Sequence, residues 1–356
     1  MYENDLELEP AEASDLCPVL DRRLLEGRDW DRAFLTVLDE EPIEHGIAVL
    51  GHESGRHPGE GWHALMVEAE PTRGRGKTED AESCARREGF LYVVGSQFGA
   101  KAGPLDPARS WIARVPEEEL EAALDGQQAR LELVRLRFGL HRAVNDALAD
   151  AELDLIELGP ATRDAYIDAT IARGAKKEKR WAGRVRSGDH PINVEGADFR
   201  SDGRLLLGLR YPVTAQGHPL LVEVHDVDSL FSDADSPPLC GAVWAMEDVG
   251  TPDEPVGVRA LHGDGEDHFD AVVGNLDAAD KGATILEDHP AGARAYSTHV
   301  RFELPLLAGG GALRAEHVHT FDDIRRVEGI ARGQAGHVHY VVDEAGHVGL
   351  RTLVFD

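Results

Sequence analysis

The chain has 356 residues, with 66 Asp and Glu against 37 Lys and Arg and a net charge of -29 at pH 7. That length can bury a substantial core, as one large all-β domain or two smaller ones. A field of this sign repels nucleic-acid phosphates and argues against non-specific binding to them.

Only six of the basic residues are lysine. The acidity reads first as solubility through surface charge, and it is also compatible with a divalent cation. Cys17, Cys84 and Cys240 are widely spaced, odd in number and without a C-x-x-C pair, which points to a reducing compartment. The acidic start Met1–Pro10 has no basic flank followed by an apolar stretch, and no window approaches eighteen apolar residues. The expectation is a cytoplasmic protein with no membrane span.

Residues 1–27 form an N-terminal segment without a clear pattern. From about Arg32 to Arg114 the spacing predicts strands: 33–38, 45–50, 62–67, 90–94 and 110–115, punctuated by Gly, Pro, Asp and Ser. From 117 to 190 the character turns helical. Residues 117–124, 140–148 and 160–172 have helical spacing, with Pro160 placed at a helix start. Between them, 131–138 alternates and reads as a strand. After Pro191 strands resume to the end, with Asp202-Gly203 and Asp264-Gly265 as hairpin-turn signals.

One phrase recurs four times: a turn, a strand carrying a buried-looking charge, a polar turn and an apolar strand. The copies are centred on Glu82, Glu195, Arg259 and Glu328, separated by 113, 64 and 69 residues. Repetition of this kind fixes architecture before local propensity does. It predicts an all-β fold, a β-propeller of about six or seven blades at roughly 40–50 residues each, with one helical insertion at 117–190. The propeller lies in two parts, 28–116 and 191–356. The final strand, 348–355, is expected to pair near the amino-terminal strands, as ring closure requires.

The pairs Asp80-Ala-Glu82…Leu91-Tyr-Val-Val-Gly-Ser96 and Asn193-Val-Glu195-Gly196…Gly203-Arg-Leu-Leu-Leu-Gly-Leu-Arg210 carry a resemblance. They resemble an uncharacterised bacterial β-propeller family, domain of unknown function 3616, which is similar to propellers with esterase-like phytase activity. The resemblance runs over about residues 30–356 and implies the fold more than an activity. Asp39-Glu40 stand where that family has an acidic pair. Where the family has Gly-Ser-His, this chain has Gly95-Ser96-Gln97, so no role for that histidine carries over.

In a ring, the repeated charges converge. Glu82, Glu195 and Glu328, with Asp39 or Glu40 as a further member, are candidate ligands for Ca²⁺ or another divalent cation, which takes six to eight oxygens in irregular geometry. The same three glutamates are candidate catalytic groups, with Arg259 and Arg210 as binders of a small anionic substrate. The bland alternative is that each Glu accepts backbone N–H bonds and fixes the ring, with Arg259 as the buried partner. The function expected is a metal- or anion-binding channel, a candidate hydrolase of phosphate or carboxylic esters. The alternative is a non-catalytic platform that holds a protein partner on the propeller rim and helical insertion.

His317-Val-His319 and His337-Val-His339 place imidazoles two apart, as a Zn²⁺ pair would, or as ordinary polar strand residues; His347 follows them. Gly74-Arg-Gly-Lys-Thr78 lacks the earlier Gly and following helix of a phosphate loop, and Leu307–Ala312 is a flexible turn. No nucleotide cofactor is expected. A basic island, 173–186, has seven cations in fourteen positions. It reads either as an internal clasp on the acidic surface or as an anion- or nucleic-acid-recognising stretch with Trp181 available for stacking.

Overall fold

The computed structural model describes residues 1–9, 12–73, 76–233, 236–279, 282–306, 309–322, 324, 326–344 and 346–355. The Gly74-Arg75 part of the rejected phosphate loop and Leu307-Ala308 of the glycine-rich turn lie outside the described residues.

Among the described residues the strands make five separate sheets. The first comprises Ala13–Val19, Trp30–Leu38, Ile47–Glu53 and Trp62–Val67, all antiparallel. The second runs Ala81–Arg87, Phe90–Gly95, Trp111–Pro116 and Ala129–Arg135, with Ala69–Arg73 added in parallel at its edge. The third runs Asn193–Phe199, Leu205–Tyr211, Leu220–His225 and Leu239–Glu247, edged in parallel by Gly311–Arg314. The fourth holds Gly257–Gly263, His268–Gly274, Thr298–Glu303 and Glu316–Thr320. The fifth holds Val327–Arg332, His337–Glu344 and His347–Val354, and its outermost strand is Tyr2–Leu6. Tyr2 faces Thr352 there, so the final strand pairs with an amino-terminal strand as expected.

The opening strands pack in cyclic order, 13–19 on 81–87, then 193–199, 257–263, 327–332 and back to 13–19. This arrangement is propeller-like. Large apolar layers fill the spaces between sheets. One joins Tyr92, Val94 and Ile112 of the second sheet to Val194, Leu207 and Val222 of the third. Another joins Leu35 and Val49 of the first to Leu91 and Val93 of the second. These side chains alternate along their strands, so each sheet buries both faces against its neighbours.

Each opening strand is bulged where the repeated charge sits. The register shifts fall between Ala81 and Ser83, Val194 and Gly196, Val258 and Ala260, and Val327 and Gly329. A bulge leaves one residue without a partner and bends the strand, and the residues left over are Glu82, Glu195, Arg259 and Glu328. In the first sheet the shift lies between Ser14 and Cys17. Glycine follows two of the bulged glutamates because the strands nearly touch there. A Cβ on Gly329 would lie 2.7 Å from the Asp15 carbonyl carbon, and one on Gly196 would lie 2.9 Å from Leu261.

Within residues 1–27 the strands 2–6 and 13–19 complete the fifth and first sheets. Within 117–190 the alternating stretch is indeed a strand, 129–135, and belongs to the second sheet. The helices Gly139–Asp150 and Pro160–Lys176 lie outside the sheets, the latter opening at Pro160 and passing through a π-helical turn at Arg163–Asp168. The Asp288 carboxylate, from the fourth sheet's loop, accepts the Ala161 and Thr162 N–H groups at 3.2 and 2.7 Å and caps that helix. No helix among the described residues is long and apolar enough to cross a membrane.

Candidate functional site at one mouth of the channel

Where the opening strands begin, they surround a cavity of about 690 Å³. Asp39, Glu82, Glu195, Glu328, Arg259 and Arg210 all line it, so the residues singled out from the repeat do meet in space. Ten carboxyl side chains and six cations share this lining, which leaves an acidic surplus.

The charges separate into two groups. On one side Asp39, Asp80 and Glu82 place carboxylate oxygens within 4.8 Å of one another. Asp39 comes from the end of a first-sheet strand, and its carbonyl accepts the Asp80 N–H at 3.1 Å, which ties the two sheets together beside the trio. Asp80 is paired with Arg109 at 2.8 Å, and the Ser14 hydroxyl reaches Glu82 at 3.4 Å. One Asp39 oxygen, Oδ1, is buried with no hydrogen-bond partner. Burial, followed by Asp80, Glu12 and Glu328, pushes the Asp39 carboxyl up to about 8. Burial and then Asp80, Glu195 and Asp39 likewise push Glu82 well above the usual carboxylate range. Burial raises Asp80 as well, against the opposing pull of Arg109 and a hydrogen bond from Ser96.

On the other side two arginines hold two glutamates. Glu195 Oε1 accepts from Arg210 Nη1 at 2.7 Å and from Asn193 Nδ2 at 3.0 Å. Arg259 Nε lies 3.2 Å from Glu195 Oε2, and its Nη2 donates to Glu328. Arg210 also donates to the Asn275 carbonyl at 3.2 Å and lies 3.9 Å from Asp277. Burial disfavours the Arg210 charge, but Glu195, Asp277 and Glu328 more than offset this and raise its pKa. Burial raises Glu328, while Arg259 opposes it.

The donor set for a cation therefore differs from the one expected. Asp39 and Glu82 are joined by Asp80, whereas Glu195 and Glu328 are engaged with arginine. The sequence signal for Asp80 is its place two residues before the bulged Glu82, just ahead of the strand Ala81–Arg87. Asn193 and Arg326 hold the same place before Glu195 and Glu328, and both line the cavity. Arg109, from a loop, has no such signal. All-oxygen donors with an unpartnered buried oxygen among them suit a hard cation such as Ca²⁺.

Gln97, at the family's histidine position, turns away from the cavity. It is buried with φ 63°, its amide donates to the Gly95 and Trp111 carbonyls at 2.9 and 3.3 Å, and it accepts from Ser110 at 3.0 Å. The histidine pairs form no metal cluster among the described residues. His339 is buried and bonded to Thr352 at 2.9 Å, and burial pushes it down to about 3. In the basic island, Trp181 is not available for stacking on a ligand, because it packs against Phe138 with ring centroids 4.9 Å apart and is only 7% exposed. Nor is the island a clasp throughout: Arg173 and Arg186 pair with Asp106 and Asp146, but Lys176, Lys177, Lys179 and Arg180 are exposed.

No family model matches the chain. The resemblance to the domain of unknown function is therefore not shown by such a match, and no curated protein matches either. Solved structures match over most of the chain at low identity. Pseudomonas fluorescens PhoX in complex with vanadate is 10% identical over 96% of this chain and 88% of that one, with a TM-score of 0.44. YCF48 bound to D1 peptide is 11% identical, with a TM-score of 0.34; the alignment covers 91% of this chain and 61% of the other. Both neighbours are β-propeller proteins. An extracellular domain of the hybrid two-component system BT4673 from B. thetaiotaomicron is 8% identical over 98% of this chain and 39% of that one, with a TM-score of 0.30.

Proposed function

We propose that the chain is a five-bladed β-propeller whose charged mouth binds a divalent cation beside a small anionic ligand, as a candidate hydrolase of phosphate or carboxylic esters. The observation that carries this reading is the division of one cavity into a carboxylate trio, Asp39, Asp80 and Glu82, and an arginine pair, Arg210 and Arg259. In the apoprotein the trio is self-repelling, which favours a cation there. A bound divalent cation would polarise an ester or phosphate oxygen. The chain's own part is to orient the anion. Arg259 Nη1 is a buried donor without a partner, and Glu195 and Glu328 hold that guanidinium in place. Preorganised donors of this kind stabilise negative charge as it develops without reorganisation.

The test is calorimetric titration with Ca²⁺, Mg²⁺, Mn²⁺ and Zn²⁺ on the wild type and on Glu82→Gln, followed by assays with p-nitrophenyl phosphate and p-nitrophenyl acetate. Cation binding lost in the variant, with cation-dependent turnover of either ester, supports the proposal. No binding of any of the four ions overturns it.

A second reading, a platform for a protein partner, draws on the basic island. Lys176, Lys177, Lys179 and Arg180 are exposed and enter no ion pair among the described residues, which suits an acidic protein surface. Against it, none of the exposed large apolar side chains falls within 117–190. Pull-down with the wild type and a variant carrying all four as Gln separates the two readings.

A further inference from the structure

A second cavity lies toward the other ends of the opening strands. Ala13 and Ser14 line the charged mouth and Cys17 and Pro18 line this second cavity of about 580 Å³, while Asp15 and Leu16 between them are buried. The Asp15 carboxylate accepts the Leu16 and Cys84 N–H groups at 2.9 and 3.0 Å, closing the waist between adjacent sheets. The second cavity is therefore separate from the cation site, at the far ends of the same opening strands.

Most of its polar groups are already satisfied within the protein. Arg200 is held by Glu223 and Asp267, Arg87 by Asp228 and Glu88, and Asp202 by Arg204. Asp264 lies near Arg332 at 3.7 Å and His268 at 3.0 Å. Two groups stand apart. Among the described residues His262, only 7% exposed, lines the cavity and makes no hydrogen bond through either ring nitrogen, its nearest ionisable neighbour being Asp198 at 3.6 Å. Neither ring nitrogen is among the fully buried atoms that lack a partner, so the ring is open to whatever fills the cavity. Arg86 gives its Nε to Glu117 at 2.8 Å, and among the described residues neither terminal nitrogen has a hydrogen-bond partner. Glu117 is itself fixed, accepting the Leu20 and Asp21 N–H groups, so Arg86 is held with its free donors at the cavity.

Unspent hydrogen-bond donors select an oxyanion. Asp198 does little to oppose one: its oxygens accept the Phe199 and Gly263 N–H groups, both at 2.7 Å, and burial holds its carboxyl up to about 7, so much of it is neutral at pH 7. We propose that this second mouth is a binding site for a small carboxylate or other oxyanion, with Arg86 as its charged anchor and His262 as its buried hydrogen-bonding partner. A planar guanidinium fork fits a carboxylate with two parallel bonds.

The experiment uses malonate and inorganic phosphate as probes in calorimetric titrations of the full chain, with the His262 ring followed by NMR. Expected is saturable binding of at least one probe, a shift of the His262 resonance, and at least a tenfold loss of affinity in both His262→Gln and Arg86→Gln. If Arg86→Gln fails to fold, the His262→Gln titration and the ring resonance decide. Binding by malonate alone assigns the site to carboxylates, and binding by both assigns it to oxyanions generally. No heat and no shift overturns the proposal. So does binding that survives both substitutions and disappears in Arg210→Gln, which would place the anion at the other mouth.

Discussion

Arg259 Nε lies 3.2 Å from Glu195 Oε2, yet neither atom completes a hydrogen bond within the protein. The pair is an electrostatic contact held slightly out of alignment, with Glu328 on the guanidinium's other side. Removing the cation would leave two buried carboxylates facing each other. Arg259→Gln is expected to destabilise the fold by about 3–5 kcal/mol, the usual cost of stranding a buried charge. Adding Glu328→Gln to it is expected to recover part of that loss. Urea unfolding of the two variants checks both.

The carboxylate trio predicts the reverse pattern. Asp39→Asn and Glu82→Gln each relieve repulsion among buried acids, so in cation-free buffer they are expected to melt no earlier than the wild type. Both are expected to weaken Ca²⁺ binding at least tenfold, and the wild type alone should gain melting temperature when the ion is added. Differential scanning calorimetry with and without Ca²⁺ measures both effects.

Asp198 sets a dependence on pH. Its folded pKa of about 7 lies above the ordinary carboxylate value, so its contribution to stability is full below pH about 4 and is lost as pH rises through about 7. The loss is at most about 4 kcal/mol across that window. Nearby His262 has the opposite sign: burial pushes it down to about 4, and its contribution is lost as pH falls through that value. Asp198→Asn is expected to flatten the decline between about pH 4 and 7 in a series of urea melts.

The helix opening at Pro160 takes its cap from a distant loop, Asp288 lying more than a hundred residues away in sequence. Asp288→Ala is expected to cost about 1 kcal/mol and to loosen that helix. Faster amide exchange at Ala161 and Thr162 is the local readout.

Much of the fold was legible as repetition. The Val-Glu-Gly phrase at Glu195 and Glu328 encodes a bulge followed by a residue that must be glycine, because the adjacent strand leaves no room for a Cβ. The Asp202-Gly203 turn has its glycine at φ 88°, as a hairpin turn requires. The strand 13–19 was not legible. Asp15 at φ 56° and Pro18 interrupt its alternation, and its pairing comes from residues 33–38. Without that strand the first sheet lacks one of its edge members, and residues 1–27 read only as an N-terminal segment.

The sequence by itself located the repeated charges, because each is written into the same short phrase of consecutive residues. Which of those charges would neutralise one another was decided by the tertiary structure. Asp39 and Asp80 come from different sheets and meet only because the sheets pack side by side; Arg259 reaches both Glu195 and Glu328 only because its strand lies between theirs in the ring. Electrostatic pairing acts over a few ångströms, and separations of that size are set by the packing of whole sheets.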